Sequence, residues 1–183
     1  MKKTLKLTTK RSESSIVTNH YYIPLILSEE DKIDYIRHVI KHKSEVKFIN
    51  DLENYLSKGI TSLRNTDWWL FCKLDETLDK VYIPYYNPSG NKISNFYPDF
   101  IFWLKKGNEY YIVFVDPKGL QHVDWTYKVE GYQRLFEEGM TQKTFDYNGF
   151  KVKIKLLLST DDTGKIPKEY RNYWFDDIEK IVS

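Results

Sequence analysis

The sequence predicts an α/β fold, a mixed central β-sheet flanked by helices, and three observations carry that expectation. Short runs rich in aromatic and β-branched residues fill the middle of the chain, each bounded by turn signals. Segments with apolar residues at helical spacing precede and follow them. The central runs are apolar at both parities, as in Phe100, Ile101, Phe102, Trp103 and Leu104, so both sheet faces need cover, and helices supply it. With 183 residues in all, a single domain over 16–183 can bury a core without disulfides or a structural metal.

The elements follow in order. Residues 1–15, MKKTLKLTTKRSESS, are basic and polar and read as a lead-in or linker. Ser28–Lys43 opens on an N-cap serine with acids in its first turn and spaces Ile33, Ile36 and Ile40 as a helix does. SEVKFINDLENYL, from Ser44, is also helical, with Phe48, Ile49, Leu52, Tyr55 and Leu56 on one face. Its stripe is rotated by roughly 100° or more from the preceding one, which predicts a break near His42–Ser44 with Ser44 as the second N-cap.

Strands are expected at Asp67–Lys73, Lys80–Tyr86, Phe96–Lys105 and Tyr110–Asp116, separated by DETLD, NPSGN and KKGNE. A helix follows over Asp124–Glu138, with Val129, Tyr132 and Phe136 inward; Gly131 in its middle is costly unless close packing requires it. KVKIKLLLS, 151–159, reads as one more strand and KEYRNYWFDDIEKIV, 168–182, as a closing helix. The aromatic pairs Tyr21-Tyr22, Trp68-Trp69, Tyr85-Tyr86 and Tyr110-Tyr111 are expected to place one ring in the core and one at the surface.

Composition narrows the function. A chain 41% hydrophobic, 16% aromatic and 30% charged is not a disordered one. Cys72 is the single cysteine, which excludes an internal disulfide and a cysteine-built zinc site and points to a reducing cytoplasm. No apolar run approaches the roughly 20 residues of a membrane helix, so a soluble protein without a membrane partner is expected. The net charge of +2 permits nucleic-acid binding without arguing for it.

FYPDFIFWLKKGNEYYIVFVDPKG, 96–119, sets Asp99, Asp116 and Lys118 inside apolar stretches. Side chains two apart on a strand share a face, so Asp116 and Lys118 point together if the strand continues through Pro117, with Asp99 on the neighbouring strand. Two carboxylates there would converge on a divalent cation, and oxygen donors suit Mg²⁺ or Mn²⁺. Pro117, without an N–H, suits a strand end where its carbonyl turns toward the metal. Such a set serves phosphodiester hydrolysis, the metal acidifying a water and screening the phosphate while the lysine positions the attack.

On the helical wheel Glu45 falls within the stripe of Phe48, Ile49, Leu52 and Leu56, so it needs a partner or a metal. Glu53 sits at the stripe's edge and reads as a solvated residue. Plainer readings stand beside these: Asp99 caps a turn after Pro98, Asp116-Pro117-Lys118-Gly119 is a strand-ending turn, and Glu45 complements the helix dipole.

Tyr97-Pro98-Asp99 leading a strand, Asp116-Pro117-Lys118-Gly119 ending the next, and an acid on a preceding helix together resemble the PD-(D/E)xK nuclease superfamily. More narrowly, ILSEEDKIDYIRHVIKHKSEVKFINDLENYL, the motif, and then DWTYKVEGYQRLF resemble the C-terminal endonuclease region of type III restriction-enzyme restriction subunits, over roughly residues 20 to 160.

The resemblance implies a restriction-endonuclease-like core and a Mg²⁺-dependent endodeoxyribonuclease, with Mn²⁺ as a substitute. It implies Asp99, Asp116, Glu45 and the Pro117 carbonyl as metal ligands, and Lys118 beside the attacking water. Lys128, Gln133, Arg134, Gln121 and His122 would lie on the DNA backbone, although lysine and arginine on an amphipathic helix read more plainly as solvated residues. The implied partners are double-stranded DNA, an ATP-dependent helicase or translocase region and a methylation and recognition subunit. Asp stands at 116 where Glu is commoner in that superfamily. Gly164-Lys165 lacks the rest of a phosphate-binding loop, so no ATP site is expected in this chain. The alternative is a non-catalytic DNA-binding or assembly module that keeps the nuclease fold.

Overall fold

The computed structural model describes residues 20–21, 40, 42–59, 62–117, 124–160 and 166–182. The lead-in over 1–15 lies outside the described residues, as does the helix expected over Ser28–Lys43 but for Ile40, His42 and Lys43.

Helix α1, Lys43–Ser57, buries Glu45, Phe48, Leu52, Tyr55 and Leu56 along one stripe, the face its spacing predicts. Its N-cap is His42, in extended conformation, so the expected cap at Ser44 is corrected by two residues and Ser44 belongs to the first turn. The carbonyl of His42 accepts from the Val46 N–H at 2.9 Å, closing that turn.

Strands β1 (Trp68–Lys73), β2 (Ile83–Asn87), β3 (Lys92–Phe96), β4 (Phe100–Lys106) and β5 (Glu109–Asp116) come next. Helix α2 (Trp125–Phe136) is followed by the two-residue strands β6 (Glu137–Glu138) and β7 (Thr141–Gln142), then β8 (Thr144–Tyr147) and β9 (Phe150–Leu158). The main sheet runs β1-β4-β5-β9-β8. Its β1-β4 and β4-β5 pairs are antiparallel, β5-β9 is parallel, and β8-β9 is antiparallel. It is therefore the mixed central sheet that the sequence predicts.

The core sits between this sheet and α1. Phe71, Phe100, Phe102, Val113 and Val115 are fully buried. Phe71 and Phe102 stack at 5.1 Å, and Phe48 reaches down from α1 to Phe100 at 5.0 Å. On α2, Tyr132 donates its hydroxyl to the Ile154 carbonyl at 2.6 Å, tying the helix to β9.

Four expectations are corrected. Lys80–Tyr86 does not join the main sheet: β2 pairs with β3, an element not foreseen, in a separate two-stranded sheet. The expected strand Phe96–Lys105 is two elements, because Pro98 has no N–H and the ladder stops between Phe96 and Phe100. β8 is also unforeseen, although Asn148 and Gly149, at φ 48° and 82°, make the tight turn that joins it to β9.

The closing helix is replaced by two 3₁₀ segments, Lys168–Tyr173 and Ile178–Ile181. Tyr173, Trp174 and Phe175 are consecutive and all buried. A helix would spread three successive side chains over about 200°, too wide for one buried face. Extended backbone serves instead: Trp174 bridges Leu158, and the Phe175 N–H donates to the Leu158 carbonyl at 2.9 Å.

Two smaller expectations agree with the structure, the first in part. Trp69 and Tyr85 are buried while Trp68 and Tyr86 are exposed, but Tyr110 and Tyr111 are both half-buried, and Tyr22 lies outside the described residues. A Cβ on Gly131 would lie 2.6 Å from the Pro84 carbonyl and 2.7 Å from the Tyr85 Cβ, so the glycine is there for close packing, against the β2-β3 hairpin. Among the described residues no helix is long and apolar enough to cross a membrane.

Candidate functional site

The sequence-predicted acids gather where β1 and β5 end and β4 begins. Lys73 pairs with Phe100 and Phe100 with Val115. Just beyond these pairs the Asp99 carbonyl accepts the Leu74 N–H at 2.7 Å, and Asp116, the residue after Val115, pairs with Leu158 of β9. The Asp116 carbonyl accepts from the Ser159 N–H at 3.1 Å. Both acids are thus anchored by their own main chain to a neighbouring strand.

The β4-β5 ladder ends at Phe100 and Val115, and Pro98 and Pro117, which have no N–H to donate, follow the two acids outward from that end. Asp99 is 5% exposed, Asp116 8% and Glu45 0%.

Lys73 is the group that sequence reasoning missed. Its Nζ lies 2.9 Å from Glu45 Oε1 and 3.9 Å from Asp99 Oδ1, on a side chain that is almost wholly buried. It stands over the Phe100 ring, 5.6 Å from the centroid. Its backbone N–H donates to the Tyr21 hydroxyl at 3.0 Å, and burial pushes that phenol up to about 12. A signal was present: Trp69, Phe71 and Lys73 alternate on one strand, and a lysine at the parity of two buried aromatics calls for a carboxylate opposite it.

Lys118, Gln121 and His122 lie outside the described residues. Pro117 is buried at the end of β5. Lys128 places its Nζ 4.9 Å from the centre of the Phe96 ring, Gln133 donates to the Tyr173 hydroxyl at 2.8 Å, and Arg134 is exposed in the last turn of α2. Glu53 is half-buried on α1.

The donor set fits a hard divalent cation in part. Mg²⁺ keeps several waters and takes one or two carboxylates together with phosphate oxygens, and Asp99 with Asp116 offers that pair. Glu45 is turned to Lys73, and among the described residues no three His, Cys, Asp or Glu side chains are grouped to hold a metal ion. The arrangement thus separates two buried aspartates at one end of the sheet from a glutamate that holds an ammonium beside one of them.

A family model described as the YagJ family matches residues 36–150, a span that contains Glu45, Lys73, Asp99 and Asp116. The chain matches no curated protein and no solved structure.

Proposed function

We propose, for a chain that belongs to the YagJ family, the activity of a Mg²⁺-dependent DNA endonuclease built on a restriction-endonuclease-like core and resembling type III restriction subunits. The observation that carries the reading is the placement of Asp99 and Asp116, both buried at the end of the sheet where the β4-β5 ladder stops. Two carboxylates gathered there suit a divalent cation. The element order supports the same reading: helix, three antiparallel strands, helix, parallel strand, with the β2-β3 hairpin as an insertion.

Bound Mg²⁺ would acidify a water and screen the scissile phosphate. Asp99 and Asp116 would hold the cation. Lys118, two residues beyond Asp116, is assigned to the attacking water by the resemblance. Lys73 sets a positive charge beside Asp99, and Glu45 fixes where that ammonium stands. Any ATP-driven motor and any recognition subunit would act from outside these residues.

Asp99→Ala and Asp116→Ala should each abolish Mg²⁺- or Mn²⁺-dependent nicking of a supercoiled plasmid while circular dichroism shows the fold intact. Full cleavage by either variant would sink the assignment. A second reading is favoured by the Glu45–Lys73 pair, which neutralises part of the cluster without a metal. A non-catalytic DNA-binding or assembly module would retain DNA and cleave nothing with any divalent cation.

A further inference from the structure

Glu45, Lys73 and Asp99 place a positive charge where the resemblance would set a metal ligand. Lys73 Nζ lies 2.9 Å from Glu45 Oε1, at bonding distance, and 3.9 Å from Asp99 Oδ1, beyond it. The Lys73 side chain is 12% exposed and the Glu45 side chain 0%, so the pair is made away from water. The lysine is fixed by three elements. Glu45 takes its head from α1, the Phe100 ring of β4 lies 5.6 Å from the ammonium, and the Tyr21 hydroxyl accepts its main-chain N–H at 3.0 Å.

We infer that Lys73 is the resident cation of the Glu45–Asp99 pair and takes the place of a second divalent ion, so that the site loads one. This rests on the nuclease reading for the ion assigned to Asp99 and Asp116, and deepens it: the number of ions is fixed, and Glu45 is not among their ligands. Carboxylate oxygens are the donors that a hard divalent cation takes, and here two carboxylates stand around one buried ammonium. Like charges repel strongly at short range away from water, so a divalent ion does not enter between Glu45 and Asp99 while the ammonium is held there. Stability is a weak reason for such a lysine, because apolar residues often replace a buried ion pair without loss. Asp99 takes part in both arrangements, near the ammonium without bonding it and buried with Asp116 at the end of the β4-β5 ladder.

The test uses the full chain with Mn²⁺ alone as the probe, its stoichiometry read by calorimetry and its surroundings by electron paramagnetic resonance. The ions counted in each protein are those that adding Asp99→Ala removes. The unchanged chain should bind one Mn²⁺ with the spectrum of an isolated ion, and Lys73→Met should bind two, with lines broadened by the neighbouring spin. Lys73→Arg keeps the charge and should bind one. Glu45→Gln combined with Lys73→Met removes both members of the pair and should also bind one, which keeps the test open if Lys73→Met alone does not fold. A lysine with only a structural role would alter stability in these variants and leave the count of Mn²⁺ where it was.

Two Mn²⁺ on the unchanged chain overturn the inference. Where the unchanged chain binds one, the same count in Lys73→Met, or none in the double variant, overturns it as well and leaves the nuclease reading in place. An unchanged chain that binds none while Lys73→Met binds one removes the metal from Asp99 and Asp116 but keeps the lysine as the resident cation of its pair. No Mn²⁺ on either protein removes both.

Discussion

Lys73 is where one side chain decides most. Removing one member of a buried ion pair leaves the other charge in a low-dielectric setting, at a cost of about 3–5 kcal/mol, whereas removing both is far milder. Lys73→Met should therefore lower stability by about that amount, and Glu45→Gln combined with Lys73→Met should recover much of it in urea denaturation. Additive losses would show that the pair is not coupled. Sequence revealed half of this pair. Helical periodicity placed Glu45 in the apolar stripe, since the wheel needs only local spacing. Its partner depends on how β1 registers against β4 and how α1 crosses the sheet, and neither is written in any short window.

At the scale of elements, Gly131 sets helix propensity against packing. Alanine is the better helix former by about 1 kcal/mol, yet its Cβ would enter the Pro84 carbonyl and the Tyr85 Cβ. Overpacking of this kind costs about 1–3 kcal/mol, and backbone on the far side cannot yield as a flexible side chain would. Gly131→Ala should lower the melting temperature by several degrees; a rise would mean that the hairpin shifts freely. Elements that the sequence mislaid failed for identifiable reasons. The closing segment has helical spacing at Ile178 and Ile181, but the three successive buried aromatics before them override it. The turn at Asn148-Gly149 was a readable hairpin signal, yet all four β8 residues are exposed, so no buried alternation announced the strand.

Over the whole molecule, buried weak acids set the alkaline limit. Burial, with Asp79 adding to it, lifts the Cys72 thiol from its ordinary 9.0 to about 12. Burial likewise lifts Tyr21 and Tyr173 from 10.0 to about 12, and Tyr132 upward as well. A group whose folded pKa exceeds its unfolded one contributes fully below the unfolded value and loses that contribution as pH rises through the folded one. These four groups should therefore leave stability unaffected up to about pH 9 and lower it steeply between about 9 and 12. In Cys72→Val the decline from this set should begin nearer pH 10, where the tyrosines take over, and melting scans across that range would show it. An unchanged onset would mean that the thiol is not the first of them to titrate.

At this scale the sheet and its flanking helices were legible, because apolar runs at both parities demand cover on both faces. The site was legible as residue types. Its geometry was not, since it depends on how β4 registers against β1 and β5. One tie remains to be followed through. The Tyr55 hydroxyl on α1 donates to Glu179, 124 residues away, and Phe48 packs on Phe175. Asp99 and Asp116 flank the β4-β5 hairpin, whose short turn closes at small entropy, whereas α1 is fastened by the last described segment. The order of assembly in time follows: during synthesis the β4-β5 hairpin that carries both aspartates can form early, and α1 with its acid is fastened only after Phe175 and Glu179 have emerged.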